Sequence, residues 1–427
     1  TSKYENTSNP FSETQFYGSL GRVSKKSAPG EDWYAHILDE HTIRTEYDVA
    51  KNEDNVLSLG VQLNGFGVPI LITTSTTYEG VGKALYKVVN KNENWKPSDG
   101  KNNTTEEYTD YQNRMLLKRT YNDNEPHDTY YVYDDYENLV FVIPPKVTFP
   151  VSNEEMANLC YQYKYDHRNR LIEKKIPGKG QEYIVYDVLD RPVLTQDANL
   201  KAKLPEEWLF TKYDNFGRVI YTGIYTATSN SSRSELQTNF DSMNPDENYE
   251  SKVTSGSGYD GIYYTNNNFP NSNIEVLTVN YYDNYTFNRD GATTTVTAYN
   301  VDSTLLLNGL ITGSRIKVLE ENEWITTVNY YDEKGRQFYT YSKNNYLETT
   351  DIVQNKLDFV GTILETKATH KKIGKTDIVA IDIFTYDHQN RIISQNQCIG
   401  DHTLTSCNSA DADITLSGIL DLQDGKT

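Results

Sequence analysis

Tyrosine, aspartate and arginine recur in this chain at one spacing, and the chemistry that spacing offers is hydrogen bonding inside a turn. Tyr-Asp-x-x-(Gly/Asn/Asp)-Arg occurs at 165–170, 186–191, 213–218, 331–336 and 386–391. Chance would supply on the order of 0.02 copies in a chain of this composition, so the chain is a repeat array. Tyr ends an incoming strand and packs on the sheet. The Asp carboxylate accepts turn N–H groups, and Gly, Asn or Asp tolerates the positive φ that reverses the chain. Arg opens the outgoing strand within reach of its own Asp. As an exposed pair the two would contribute about 0.5 kcal/mol, so turn geometry outweighs charge. The candidate residues are structural: Tyr165, Asp166 and Arg170; Tyr186, Asp187 and Arg191; Tyr213, Asp214, Gly217 and Arg218; Tyr331, Asp332, Gly335 and Arg336; and Tyr386, Asp387 and Arg391.

Other residue types with chemical potential do not assemble into a recognised pattern. His167 and His388 hold the third position of the hexapeptide and should face solvent, while His36, His41, His127, His370 and His402 are scattered without an H-E-x-x-H or nucleophile signature. Gly80, Gly82 and Lys83 lack the spacing of a phosphate loop, as does the ending Gly425-Lys426-Thr427. The acidic pairs Asp123/Glu125 and Asp134/Asp135 do not follow a calcium-loop pattern. No catalytic residue, cofactor or metal is therefore expected, and the chain is read as a non-enzyme. Three cysteines are too few for a disulfide framework. Cys398 and Cys407 either close a small loop in an oxidising compartment or stay reduced, and Cys160 has no partner in either case.

The elements that must position the turns are strands. Segments 61–63, 116–121, 129–133, 161–165, 184–186, 326–331 and 378–386 mix alternation with β-branched and aromatic runs. Thirty-five tyrosines supply apolar area that the low hydropathy would otherwise deny. Ser152-x-x-Glu155 and Ser232-x-x-Glu235 are capping boxes and predict one short helix each. Worn turns extend the array to Tyr17 (17–22, YGSLGR) and 78–83 (YEGVGK), with related forms at 110–114, Tyr133-Asp134 and Tyr282-Asp283. The organisation predicted is 1–150 with worn repeats, 151–225 with three regular repeats, a Ser/Asn/Gly-rich surface insertion at 226–273, and 274–427 with further repeats, all in one continuous structure. Net charge is −19, which opposes nucleic-acid or anionic-membrane binding by bulk electrostatics. No apolar run is long enough to span a membrane. Beginning and ending in loop-like sequence, the chain reads as a piece of something longer.

The hexapeptides resemble those of the YD-repeat (RHS-repeat) family of bacterial polymorphic toxins, whose relatives include the cocoon-forming component of insecticidal toxin complexes and the teneurin extracellular region. The resemblance extends to 21–23 with 28–33 (GRV, APGEDW), 93–95 (ENW), 99–107, 130–145, 159–178, 310–319 and 329–336, in order along most of the chain. It implies an all-β array of YD hairpins forming a spiralling sheet or partial hollow shell. It also implies a secreted or cell-surface protein whose shell encloses or carries a C-terminal toxin or effector. The partners implied are the remainder of the same polypeptide and, beyond it, secretion machinery or a target-cell surface. The self-cleaving core segment and toxin domain of the family have no counterpart in these residues. The alternative is a surface module that contacts glycans or proteins through its tyrosines.

Overall fold

The computed structural model describes residues 11–30, 33, 41–78, 84–228, 232–244, 248–254, 258–408 and 412–417. The proposed worn turn at 78–83, the Gly425-Lys426-Thr427 ending and His36 lie wholly or largely outside them. Strands dominate throughout and nearly all pairing is between neighbours in sequence, antiparallel, so the chain is an all-β hairpin array. Two compact units divide it, Thr1–Ile184 and Val185–Thr427.

In the first unit the main sheet grows by hairpins from Glu13–Tyr17 through Thr42–Val49, Tyr86–Lys91, Thr104–Thr109, Met115–Asn122, Glu125–Tyr133 and Leu139–Ile143 to Leu171–Lys175. One hairpin, Leu57–Leu63 with Pro69–Thr77, leaves that sheet and pairs only with itself. Its Leu57, Leu59, Val61 and Leu71 pack on the core of Tyr108, Leu117, Tyr130, Val132 and Val140. Alternation explains the core: Thr104, Glu106 and Tyr108 are buried on one face of Thr104–Thr109 while their neighbours are not.

That face also buries charge. Lys87 Nζ lies 2.6 Å from Asp54 and 3.2 Å from Glu106, and Tyr108 Oη lies 3.0 Å and 2.7 Å from the same two carboxylates. Arg119 pairs with both oxygens of Asp128 at 2.6 and 2.7 Å and donates to the Asp54 carbonyl at 2.8 Å. Burial and the adjoining carboxylates drive the Tyr108 phenol well above the usual range, so it acts as a fixed donor. A buried charge set of this kind holds only because each member has partners.

In the second unit, Pro192–Gln196, Glu207–Tyr213, Val219–Thr226, Ile274–Asp283, Leu307–Lys317 and Trp324–Tyr331 pair in succession. The array continues through Gln337–Asn344, Thr349–Leu357, Ile363–Lys372, Ile378–Tyr386 and Ile392–Gly400 to Ile414–Ser417. Both capping boxes form, Ser152 starting helix Asn153–Leu159 and Ser232 starting Arg233–Asp241. The segment 226–273 departs from the expected surface insertion. Leu236, Phe240, Ile262 and Tyr264 are buried, and Phe240 and Phe269 meet edge to face at 5.5 Å. Its Ser/Asn/Gly composition concealed a few apolar residues that fold back onto strands Glu207–Tyr213 and Val219–Thr226. Cys398 and Cys407 form a disulfide, and Cys160 is a buried free thiol.

Candidate functional site: the Tyr-Asp turns

All five hexapeptides fold into one turn. The Asp N–H donates to the Arg carbonyl and the fifth residue's N–H donates to the Asp carbonyl, at 2.9–3.1 Å in every copy. The fifth residue takes positive φ in each: Asn169 58°, Asp190 62°, Gly217 75°, Gly335 73° and Asn390 58°. This is a three-residue hairpin loop closed by a left-handed bulge residue, and strand register shifts one residue beside Tyr165, Tyr213, Tyr331 and Tyr386.

The Asp carboxylate organises the loop. Oδ1 accepts the N–H of the fourth residue and of Arg at 2.8–3.0 Å in all five copies. Oδ2 accepts the Arg Nε at 2.6–2.7 Å. The pair is not the exposed one expected from sequence. Side-chain exposure is 0% at Asp187, 6% at Asp332, 9% at Asp214 and 10% at Asp166, rising to 18% only at Asp387. Burial alone would raise Asp166 and Asp332, but the loop N–H groups and the Arg guanidinium hold both below the usual carboxylate range. Asp387 is held down to about 2, chiefly by the Arg391 N–H. His167 and His388 stand exposed at the loop tips.

Tyrosine joins one turn to the next. Tyr165 Oη donates to the Leu139 carbonyl at 3.0 Å, Tyr213 to Pro192 at 2.7 Å, Tyr282 to Val219 at 3.0 Å and Tyr386 to Ile363 at 2.6 Å. Each acceptor is the residue immediately after the preceding turn. Tyr331 donates to Ile311 at 2.7 Å, where the preceding connection is the long loop 284–306. Arginine reinforces the link by stacking on the next tyrosine, Arg191 at 4.4 Å from the Tyr213 centroid and Arg218 at 4.3 Å from that of Tyr282. Arg218 also reaches Asp283 with two bonds of 3.0 and 2.7 Å, so one guanidinium ties two successive Asp residues. Tyr186 and Asp187 open their turn as the other copies do.

Several turn residues were only partly legible. Asp110 and Asp134, read as worn copies, accept the same two loop N–H groups at 2.9 Å. Asp358 and Asn64 do so as well, at 2.8–2.9 Å, and were missed. Their signal was Asp or Asn followed three residues later by a positive-φ glycine, Gly361 or Gly67, without Tyr or Arg. The turn at Tyr17 closes without any Asp, through Gly21 N–H to the Gly18 carbonyl. Asp283 heads no tight turn; it receives Arg218 and the Gly309 N–H instead.

Also unanticipated was a buried clamp in the second unit. Lys212, 5% exposed, meets Glu250, 1% exposed, at 3.1 Å. Glu250 further accepts from Thr265 Oγ1 and from the Asn267 and Asn268 N–H groups, and Lys212 donates to the Asn268 carbonyl. Burial pulls the ammonium down from the ordinary lysine range against the attraction of Glu250. Among the described residues no group of three or more His, Cys, Asp or Glu side chains is placed to hold a metal ion. Among the described residues no helix is long and apolar enough to cross a membrane.

No protein-family profile matches the chain, and no curated protein matches it. Among solved structures the chain is similar to that described as the crystal structure of TcdB2-TccC3, with a TM-score of 0.29, 13% identity, and coverage of 95% of this chain and 24% of that one. Forms of the same complex described as TcdB2-TccC3-TEV and TcdB2-TccC3-Cdc42 match with a TM-score of 0.28 and 13% identity, over 95% and 93% of this chain and 24% of theirs. The chain thus spans about a quarter of the length of these toxin-complex chains.

Proposed function

We propose that this chain is a non-catalytic wall segment of an RHS/YD-repeat protein, secreted or displayed at a cell surface, whose β-shell encloses or carries a C-terminal toxin or effector. The observation that carries the reading is the stitching of successive turns by Tyr hydroxyls to the preceding return strand. A motif that bonds both within its own hairpin and to its neighbour builds a wall by repetition, with each unit needing the next. The hexapeptides and the further segments shared with YD-repeat proteins support the same reading. The test uses the full polypeptide that carries this segment, treated with a nonspecific protease. Enclosure predicts that residues following the shell survive at protease levels that digest them when expressed alone. Equal digestion rates would remove the encapsulation reading.

A second reading, a surface module for neutral glycans, is favoured by one pocket of about 290 Å³. Phe216 and Tyr249 stand exposed at its edge, suited to stacking on a pyranose face, and Asp214, Asn215, Asp283 and Asn284 supply polar groups. Saturable binding on a glycan array, lost in Phe216→Ala, would favour this reading over a plain wall.

A further inference from the structure

The last hairpins of the array carry the same turns as the rest but very little core. Among the described residues of 349–400, only Thr349, Val379, Ile381 and Cys398 are buried. Val379 and Ile381 lie on the strand Ile378–Tyr386, and Ile381 stands directly opposite Cys398 on the strand Ile392–Gly400. Packed against them are Ile383, Ala412 and residues of the short loop that follows Ile392–Gly400, 401–408. Two of its side chains turn inward, Cys407, 4% exposed, and the half-buried Leu404; the other six residues of that loop are exposed.

The loop's attachments to the strands can be named. The Cys398–Cys407 disulfide joins it to the outgoing strand. Leu404 packs on the Val379/Ile381 cluster, and Lys367 Nζ donates to the Leu404 carbonyl at 3.4 Å, a long bond. The bonds from Thr403 and Leu404 to Asp401 stay inside the loop. Beyond the loop, Asp413 and the strand Ile414–Ser417 pair with Ile392–Gly400, so the disulfide is the covalent attachment of a loop that brings few apolar contacts of its own, and where few apolar contacts bind a segment its local opening is cheap.

We propose that Cys398–Cys407 is a reducible latch, which keeps the loop on the Val379/Ile381 face in an oxidising medium and releases it when a thiol reductant acts. In that step a reductant thiolate attacks one sulfur as the loop opens. The S–S bond breaks and a mixed disulfide forms, and a second reductant thiol resolves it. Two electrons and two protons pass from the reductant, which ends as its own disulfide, and both cysteines end as thiols. The apolar face of the last hairpins is then uncovered while the turns 358–362 and 387–391 keep their own hydrogen bonds. Cys160 takes no part: it is fully buried in the other unit, and burial pushes its thiol up to about 11.

The test treats the folded chain with dithiothreitol in buffer without denaturant, followed by thiol alkylation, peptide mass analysis and amide hydrogen exchange. Two labels are expected, at Cys398 and Cys407, with Cys160 unlabelled. Exchange at 378–408 should accelerate at least tenfold, with the segments 104–143 and 207–226 unchanged and binding of an apolar dye increased. Failure to reduce the bond until the chain is denatured would overturn the latch, as would reduction without faster exchange or with acceleration everywhere. A Leu404→Asp variant, which keeps the disulfide, should be reduced several-fold faster than the wild-type chain; an unchanged rate would show that the loop does not open locally and would equally overturn the proposal.

Discussion

Two stretches of the second unit use the same turn and differ in what lies beneath it. At 214–218 the Asp214 carboxylate accepts at 2.9, 2.9 and 2.7 Å, and at 387–391 Asp387 accepts at 2.8, 2.9 and 2.6 Å. The strands beside the first turn bury Trp208, Phe210, Ile220, Tyr221 and Tyr225, whereas those beside the second bury Val379, Ile381 and Cys398. A turn of this kind is a local object whose bonds close within five residues, so it forms equally well over a thick or a thin core. Cover must come from elsewhere. For the first stretch it comes from Leu236, Phe240, Ile262 and Tyr264 of the following segment, fixed by Lys212 and Glu250. For the second it comes from one disulfide-bonded loop and Ala412. At roughly 1.5–3 kcal/mol for each large apolar side chain buried, the two stretches differ by several such contributions.

The sharpest way to break this contrast is to remove the clamp on the thick side. Glu250→Ala leaves Lys212 buried without its counter-charge and should cost about 3–5 kcal/mol in urea unfolding, with Lys212→Met/Glu250→Leu recovering most of the loss. A loss below about 1 kcal/mol would mean that the pair does not hold the covering segment. On the thin side, Ile381→Ala should cost about 2–4 kcal/mol. Its effect should appear in hydrogen exchange confined to 363–408, and a change spread over the whole unit would contradict a separately supported end.

Turn substitutions should scale with burial. Asp214→Ala strands loop N–H groups in a covered turn and should cost about 1–3 kcal/mol, while the more open Asp387→Ala should cost less, measured by the shift in denaturation midpoint. Equal losses would show that cover plays no part. Tyr213→Phe, which removes only the bond to Pro192, should cost about 1 kcal/mol; paired with Arg191→Ala in a double-mutant cycle, it should reveal coupling through the stacked ring.

The smallest effect is expected from acid. Asp332 and Asp387 have folded values below the ordinary one, so their contribution is complete above an unfolded value of about 3.9. It is lost as pH falls through the folded values, about 2 for Asp387. The stability gap between wild type and Asp332→Asn should therefore narrow as pH falls below about 4. A gap that does not change with pH would argue against a charged Asp332 in the turn.

The turns were legible in sequence because their chemistry is contained in six residues. Gly217 and Gly335 supply the positive φ that the bulge needs, at 75° and 73°, and an Asp at the second position has its N–H donors two and four residues on. The copies at Asn64 and Asp358 escaped because their tyrosine and arginine are gone while the acceptor and the glycine remain. The role of 226–273 escaped for a different reason. Its apolar residues are spaced too irregularly to show a strand or helix face, and they become a core only when the segment folds back onto the strand it leaves. The buried set of Asp54, Lys87, Glu106, Tyr108 and Arg119 was likewise hidden, since its members come from four separate segments.

By itself, the amino-acid order determined the all-β hairpin array, the capping boxes and the three-residue loops. Each of these rests on interactions between residues close in the chain, where spacing is geometry. Tertiary structure alone decided that the Asp–Arg pairs are mostly covered and that the hydroxyls of Tyr165, Tyr213, Tyr282 and Tyr386 reach the preceding return strand. It also decided that Lys212 meets Glu250 and that Cys398 meets Cys407 beneath a loop. Those partners lie across strand pairings or loops, and only the packed sheet brings them within hydrogen-bonding or bonding distance.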